Sequence, residues 1–352
     1  MACFLRPIPG DYDRYNYEVV VRSWTQDWVD VYPLVKNESP ILSGSAGFDS
    51  SDHMAQREPI FAIRPLYLEL VETLHRLGFR YQTAISLISS SSFFALAILF
   101  VVWTRRPLLS ALVISCPLTT QLAREGVPDA LNALCILSSL FCLSALGRTT
   151  WGILLLLISV WIRTDSVLLC AAVLLWLTYE KKLELRYSAV LIGLAFASVK
   201  AVNYFSGNYG YAVLFRATFI GGKHPFLISS APITVREYLT GLSQGLPSII
   251  PQLAPWCLLG VVAWYLRSPL RNWMLPVASA ALAHFVLFPS AEVRYLNWAC
   301  VFAGLVFVEG VPKLAAVDVR KTDATSILSH TALSSTSSAL QEGSAALASQ
   351  YV

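Results

Sequence analysis

The sequence predicts an all-α, polytopic membrane protein: a bundle of about nine transmembrane helices, with an extracytoplasmic N-terminal loop and amphipathic interface helices. Three observations lead there. Only 14% of the 352 residues are charged and 55% are hydrophobic, against roughly 25% charged in soluble domains. Apolar runs of about 20 residues recur, the length that crosses a hydrocarbon core. Lysines and arginines gather at alternate ends of those runs, as they do in proteins oriented by a cytoplasmic excess of positive charge.

In chain order, residues 1–82 read as an extracytoplasmic region. Turn-rich stretches such as Lys36-Asn37-Glu38-Ser39-Pro40 predict short helices and loops over 1–56. Arg57 to Phe79 is amphipathic: Leu66, Leu70, Leu74 and Leu77 share a helical face, with Glu69, Glu72, His75 and Arg76 largely off it. This is the pattern of an interface helix, expected to begin after Arg64-Pro65 because proline suits the first helical turn.

The bundle, residues 83–311, contains the expected spans Thr83–Trp103, Leu108–Ala123, Pro128–Gly147, Thr150–Ile162, Asp165–Tyr179, Tyr187–Phe205, Ile249–Leu266, Asn272–Phe288 and Tyr295–Val311. Thr150–Ile162 and Asp165–Tyr179 are short, and either cross separately or merge into a broken hairpin. Residues 206–248, rich in glycine, proline and tyrosine, read as an outer loop. Residues 312–352 are rich in serine, threonine and alanine and read as a disordered cytoplasmic tail.

The cytoplasmic side is marked by Arg105 and Arg106, Arg148, Lys181, Lys182 and Arg186, Arg267 and Arg271, and Lys313, Arg320 and Lys321. The opposite face holds the N-terminal region, the 206–248 loop and the turns with Arg124, Arg163 and Arg294. A bacterial inner membrane is the expected location, with this face periplasmic. The small net charge of +4 and the lack of a basic block interleaved with aromatics exclude a nucleic-acid partner. Of the seven cysteines only Cys3 is clearly outside apolar runs, so neither a disulfide framework nor a zinc site is expected. His53, His75, His224 and His284 show no metal spacing. Most of the ten tryptophans sit near span ends, as in an aromatic belt.

Ionisable groups at membrane depth are costly and mark sites or pathways. On the outer face they form clusters: Asp11 and Asp13; Arg57-Glu58 and Arg64; Arg124-Glu125 with Asp129; Arg163 with Asp165; Glu292 with Arg294. Lys200 interrupts an apolar run near the same face, where it either snorkels or faces the site. Each cluster alone is equally an interfacial ion pair at a helix end. Together they suit an anionic, amphipathic substrate. Arginines hold phosphate through paired charge-assisted hydrogen bonds, and a carboxylate takes a proton from an acceptor. No nucleotide-binding glycine motif is present, so a donor presented from the bilayer fits better than a nucleotide sugar.

Three stretches carry a resemblance. Asp11-Tyr12-Asp13-Arg14-Tyr15, Ile63-Arg64-Pro65-Leu66-Tyr67 and Glu292-Val293-Arg294-Tyr295-Leu296, with the turn Gly126-Val127-Pro128-Asp129, resemble motifs of the GT-C membrane glycosyltransferases. That class includes protein mannosyltransferases and aminoarabinose transferases, which use polyprenyl-phosphate sugars. The resemblance implies transfer of a sugar to a lipid or polysaccharide acceptor at the outer face, with inversion. Asp11 or Asp13 would be the general base. Arg64, Tyr67, Arg124, Asp129, Arg163, Lys200, Glu292 and Arg294 would contact substrate. No metal or other cofactor is assigned, although an Asp11–Asp13 pair suits a divalent ion. GT-C proteins place a transmembrane helix ahead of the acidic loop and none is read here, so either a start set too far downstream or a lost first helix is expected. The alternative from another class is a transporter or flippase of a lipid-linked or anionic solute. A third is a catalytically silent scaffold.

Overall fold

The computed structural model describes residues 12–38, 50–220, 228–290 and 292–311. Asp11, the Gly221–Pro225 turn with His224, and the tail after Val311 lie outside the described residues. Among those described, the secondary structure is helical and contains no β-strand.

The N-terminal region is built from α1 (Tyr12–Ser23), α2 (Trp28–Glu38), α3 (Ser51–Phe61) and α4 (Pro65–Arg76). The segment read as one amphipathic stretch from Arg57 is therefore two helices. Pro65 supplies the first turn of α4, and its ring disfavours helical backbone at Arg64 before it. After α4, Gly78 takes a φ of 97°, a left-handed conformation that glycine adopts without steric cost. Tyr17, Val21, Tyr67, Leu68 and Val71 then pack against Tyr81, Ile85 and Ile88 at the start of α5 (Tyr81–Thr104). The region is thus anchored on the bundle.

α5 ends at Arg105, whose φ of 54° is left-handed. The expected span Leu108–Ala123 is interrupted: α6 (Pro107–Ile114) and α7 (Pro117–Arg124) are separate. Pro117 lacks an N–H and pushes Cys116 to extended backbone (φ −62°, ψ 146°), which breaks the helix there. α8 (Asp129–Ser144) follows α7 at a bend of 117°. The remaining helices are α9 (Thr149–Ile162), α10 (Val167–Tyr179), α11 (Leu185–Phe205), α12 (Tyr211–Phe215), α13 (Val235–Tyr265), α14 (Met274–Leu287) and α15 (Asn297–Gly310).

The stretch 206–248, expected as an outer loop, is helical over its last part. Helix α13 begins at Val235, well inside it, set by a capping box in which Thr234 and Glu237 bond each other's backbone N–H. Pro247, Pro251 and Pro255 all lie within this helix, spaced so that they share one side.

Four segments are long and apolar enough to cross a membrane: Tyr81–Thr104, Leu185–Phe205, Val235–Tyr265 and Val293–Gly310. The bent pair α7–α8 makes a fifth if it is one span. α8 packs on α9 and α5, α13 on α15, and α10 on α11 and α14. Their shared core includes Leu96, Phe100, Ile136, Leu140, Phe302 and Leu305.

Candidate functional site

Because the helix interiors are apolar, the charged groups sit at helix ends, and the fold brings several ends together. Arg163 caps the C-terminus of α9, Asp165 lies in the 3-10 turn Thr164–Ser166, and Asp129 opens α8. The Arg163 guanidinium grips Asp165 with two bonds, Nε to Oδ1 at 3.1 Å and Nη2 to Oδ2 at 2.6 Å, and its Nη1 binds Asp129. The second oxygen of Asp129 is buried and accepts no hydrogen bond from the described residues. From the last turn of α14, His284 Nε2 reaches Asp165 Oδ2 at 3.0 Å.

A second node adjoins this one. Arg294, in the 3-10 turn before α15, donates from Nη1 to Asp13 Oδ2 at 2.6 Å, and its Nε lies 2.5 Å from a Glu292 oxygen. The Asp13–Arg294 contact joins residues 281 positions apart. Tyr295 links the nodes: Arg163 and Arg294 each lie 5.2 Å from its ring centre, and His284 stacks on it at 6.2 Å. Asp13 also faces Tyr17 and Arg57. Burial pushes the Tyr17 phenol far above its ordinary value and, opposed by the charge of Asp13, pulls the Arg57 guanidinium down.

Beside these groups is a cavity of about 350 Å³. Its lining combines charged and polar groups, among them Arg64, Arg163, Asp165, His284, Asn203 and Asn208, with apolar ones such as Leu168, Phe196, Val199, Leu214, Phe219 and Phe288. Long-range hydrogen bonds gather the surrounding segments. Ser206 Oγ donates to Ala62 O (3.0 Å), Tyr209 Oη to Gln56 O (2.8 Å) and Tyr211 Oη to Leu287 O (2.6 Å). A larger cavity of about 570 Å³, between the α6–α7 break and α13, offers Gln121 and Gln252 but no charged side chain. Of these two cavities, the charged side chains line the smaller one.

Of the residues singled out in the sequence, Asp13, Asp129, Arg163, Glu292 and Arg294 converge, and Arg64 lines the cavity. Arg64 donates to Ile60 O at 3.0 Å and lies over the Tyr17 and Phe61 rings, 5.4 and 5.9 Å from their centres. Three do not join them. Arg124 is exposed at the end of α7; Asp129, its expected partner, binds Arg163, and the buried member of the Arg124-Glu125 pair is Glu125. Lys200 is exposed on α11 and absent from the cavity lining, which takes Phe196, Val199 and Asn203 from that helix. Tyr67 is fully buried, its hydroxyl donating to Gly126 O at 3.3 Å, so it fastens α4 to the α7–α8 turn.

Sequence reasoning passed over His284 and Tyr295 as site residues, and reads Asp165 only as a cluster partner of Arg163. For His284 a signal existed, since it is a polar side chain in the apolar run Ala280–Leu287. Among the described residues no group of three His, Cys, Asp or Glu side chains is arranged to hold a metal ion. The long apolar helices define a membrane-embedded helical protein with a charged cluster at converging helix ends. The chain matches no family model, no curated protein and no solved structure.

Proposed function

We propose that the chain is a membrane glycosyltransferase of the GT-C type, moving a sugar from a polyprenyl-phosphate donor to a lipid or polysaccharide acceptor. In this reading the shorter helices complete a bundle of about nine crossings, the charged cluster faces the periplasm, and the membrane is the bacterial inner membrane. The observation that carries it is the cavity: two arginines and several apolar side chains in its lining, and the Asp13–Arg294 pair close by through Tyr295. A phosphate fits Arg64 and Arg163, and an isoprenoid fits Phe196, Val199 and Leu168.

Asp13 is the general base. Its Oδ2 is held by Arg294, its other oxygen accepts no hydrogen bond from the described residues, and the side chain is 22% exposed. It takes the acceptor hydroxyl proton as the acceptor oxygen attacks the anomeric carbon from the face opposite the phosphate, so that the product is inverted. Asp11 remains the second candidate from the same stretch.

The test is transfer from a synthetic polyprenyl-phosphate sugar by the protein reconstituted in vesicles. Asp13→Asn is expected to lose about 100-fold or more in rate while still binding donor. Full transfer by the Asp11→Asn, Asp13→Asn double variant overturns this base assignment. Movement of the lipid phosphate between leaflets without transfer replaces the reading with a flippase.

A further inference from the structure

We propose that His284, oriented by Asp165, is the proton donor to the departing phosphate. This deepens the lipid-phosphate reading above and rests on it. The geometry begins with Asp165. Its carboxylate only accepts, so the 3.0 Å contact places a proton on His284 Nε2. The other ring nitrogen, Nδ1, has no hydrogen-bond partner among the described residues, yet it is not sealed among the buried unpaired atoms. His284 is 4% exposed overall and lines the cavity that holds Arg163 and Arg64. Nδ1 is therefore the ring atom left to meet whatever fills that cavity.

Asp165 serves two partners. Arg163 takes both its oxygens, and His284 adds a third bond at Oδ2. A carboxylate at Nε2 fixes the ring orientation, and the imidazolium form of the ring presents an N–H from Nδ1. The charged and titratable groups around the ring are Asp165 and Arg163 from the α9–α10 turn and Tyr295 from the turn before α15; Arg64 and Tyr211 line the same cavity. Of the helices packed on α14, α10 carries no charged side chain, and the one such residue of α15, Glu309, lies at the end of that helix away from Asn297.

The acceptor oxygen forms its bond to the anomeric carbon and gives its proton to Asp13. The bond from that carbon to the phosphate oxygen breaks, and the electron pair stays on the oxygen. The Nδ1 proton of His284 moves to the phosphate, leaving neutral imidazole with Nε2–H still on Asp165. Arg163 and Arg64 hold the remaining phosphate charge.

The probe is farnesyl methyl phosphate, a diester whose own charge is constant between about pH 5 and 9, so any pH dependence belongs to the protein. Binding is measured on the full-length protein in lipid nanodiscs by ³¹P NMR titration. Wild-type affinity is expected to weaken by about tenfold from pH 5.5 to pH 8.5, as the imidazole loses its proton. His284→Gln, whose amide still reaches Asp165, is expected to bind with less than about twofold change over that range. His284→Asn serves as the second variant, and thermal melting of both shows whether the fold is intact. Wild-type binding that does not change with pH overturns the proposal even if neither variant folds. Unaltered pH dependence in a folded variant overturns it equally, and leaves the lipid-phosphate reading standing. A wild-type protein that binds the diester at neither pH removes that reading and this one with it.

Discussion

The most exposing perturbation of the site's framework is Arg163→Met. The Arg163 side chain is 7% exposed, Asp129 4% and Asp165 24%. At an effective dielectric of about 20, unit charges about 4 Å apart attract by about 4 kcal/mol, so the two carboxylates together offset the cost of burying the guanidinium. Removing the arginine leaves Asp129 with no partner in this cluster and Asp165 with only His284. Breaking a buried pair from one side typically costs about 3–5 kcal/mol. Asp129→Asn should cost less, because Arg163 keeps its two bonds to Asp165. Placed on Arg163→Met, the same change should recover stability by removing the orphaned charge, with a coupling of about 0.5–3 kcal/mol. Unfolding by SDS in mixed micelles, followed by tryptophan fluorescence, measures all four corners of the cycle; Trp298 and Trp273, both nearly buried, report on the bundle. An Arg163→Met protein within about 1 kcal/mol of wild type, or a cycle without coupling, refutes the argument that this cluster is an electrostatic unit.

Three further outcomes are expected. Gly245→Ala should destabilise by about 1–3 kcal/mol, because a Cβ there meets the Pro289 carbonyl where α13 crosses the strap after α14; the same unfolding assay reads it. Thr234→Ala should cost about 1 kcal/mol by opening the α13 capping box, and it should loosen exchange protection at the first turn of that helix. Glu58, half-buried in α3, has its pKa raised by burial, with the Ser23 hydroxyl pulling the other way. Its folded pKa therefore exceeds the unfolded one. The stability it contributes is full below the unfolded value and is lost as pH rises through the folded value. Glu58→Gln should thus stabilise at neutral pH and lose that advantage on acidification, as denaturation at several pH values will show.

Much of this arrangement was legible because membrane helices leave charges few places to go. An apolar interior forces ionisable residues to the ends, and alternation of the helices decides which ends share a face. That reasoning brings Asp13, Asp129, Arg163 and Arg294 to one place from segments far apart. It does not choose partners. Asp129 was paired with Arg124 on proximity in sequence, but Pro117 breaks the helix and starts a new one of only eight residues. The break resets the helical phase, so that Arg124 points out and Glu125 in.

The start of α13 failed for a different reason. Glycine, serine and proline between Gly241 and Ser248 read as loop, yet the Thr234–Glu237 capping box stands seven residues ahead of them. The prolines survive inside the helix because their four-residue spacing stacks the missing hydrogen bonds along one side, leaving the rest of the ladder to hold the segment. His284 was the costlier omission. A single imidazole among alanines and valines has no spacing to mark it, and a search for metal pairs passes over it. What distinguishes it is energetic. A polar ring buried to 4% exposure needs a partner, and its partner among the described residues, Asp165, is already bound to the arginine that lines the cavity. The residue that sequence logic discarded is thereby the one that connects the electrostatic framework of the α9–α10 turn to the space where a substrate would sit.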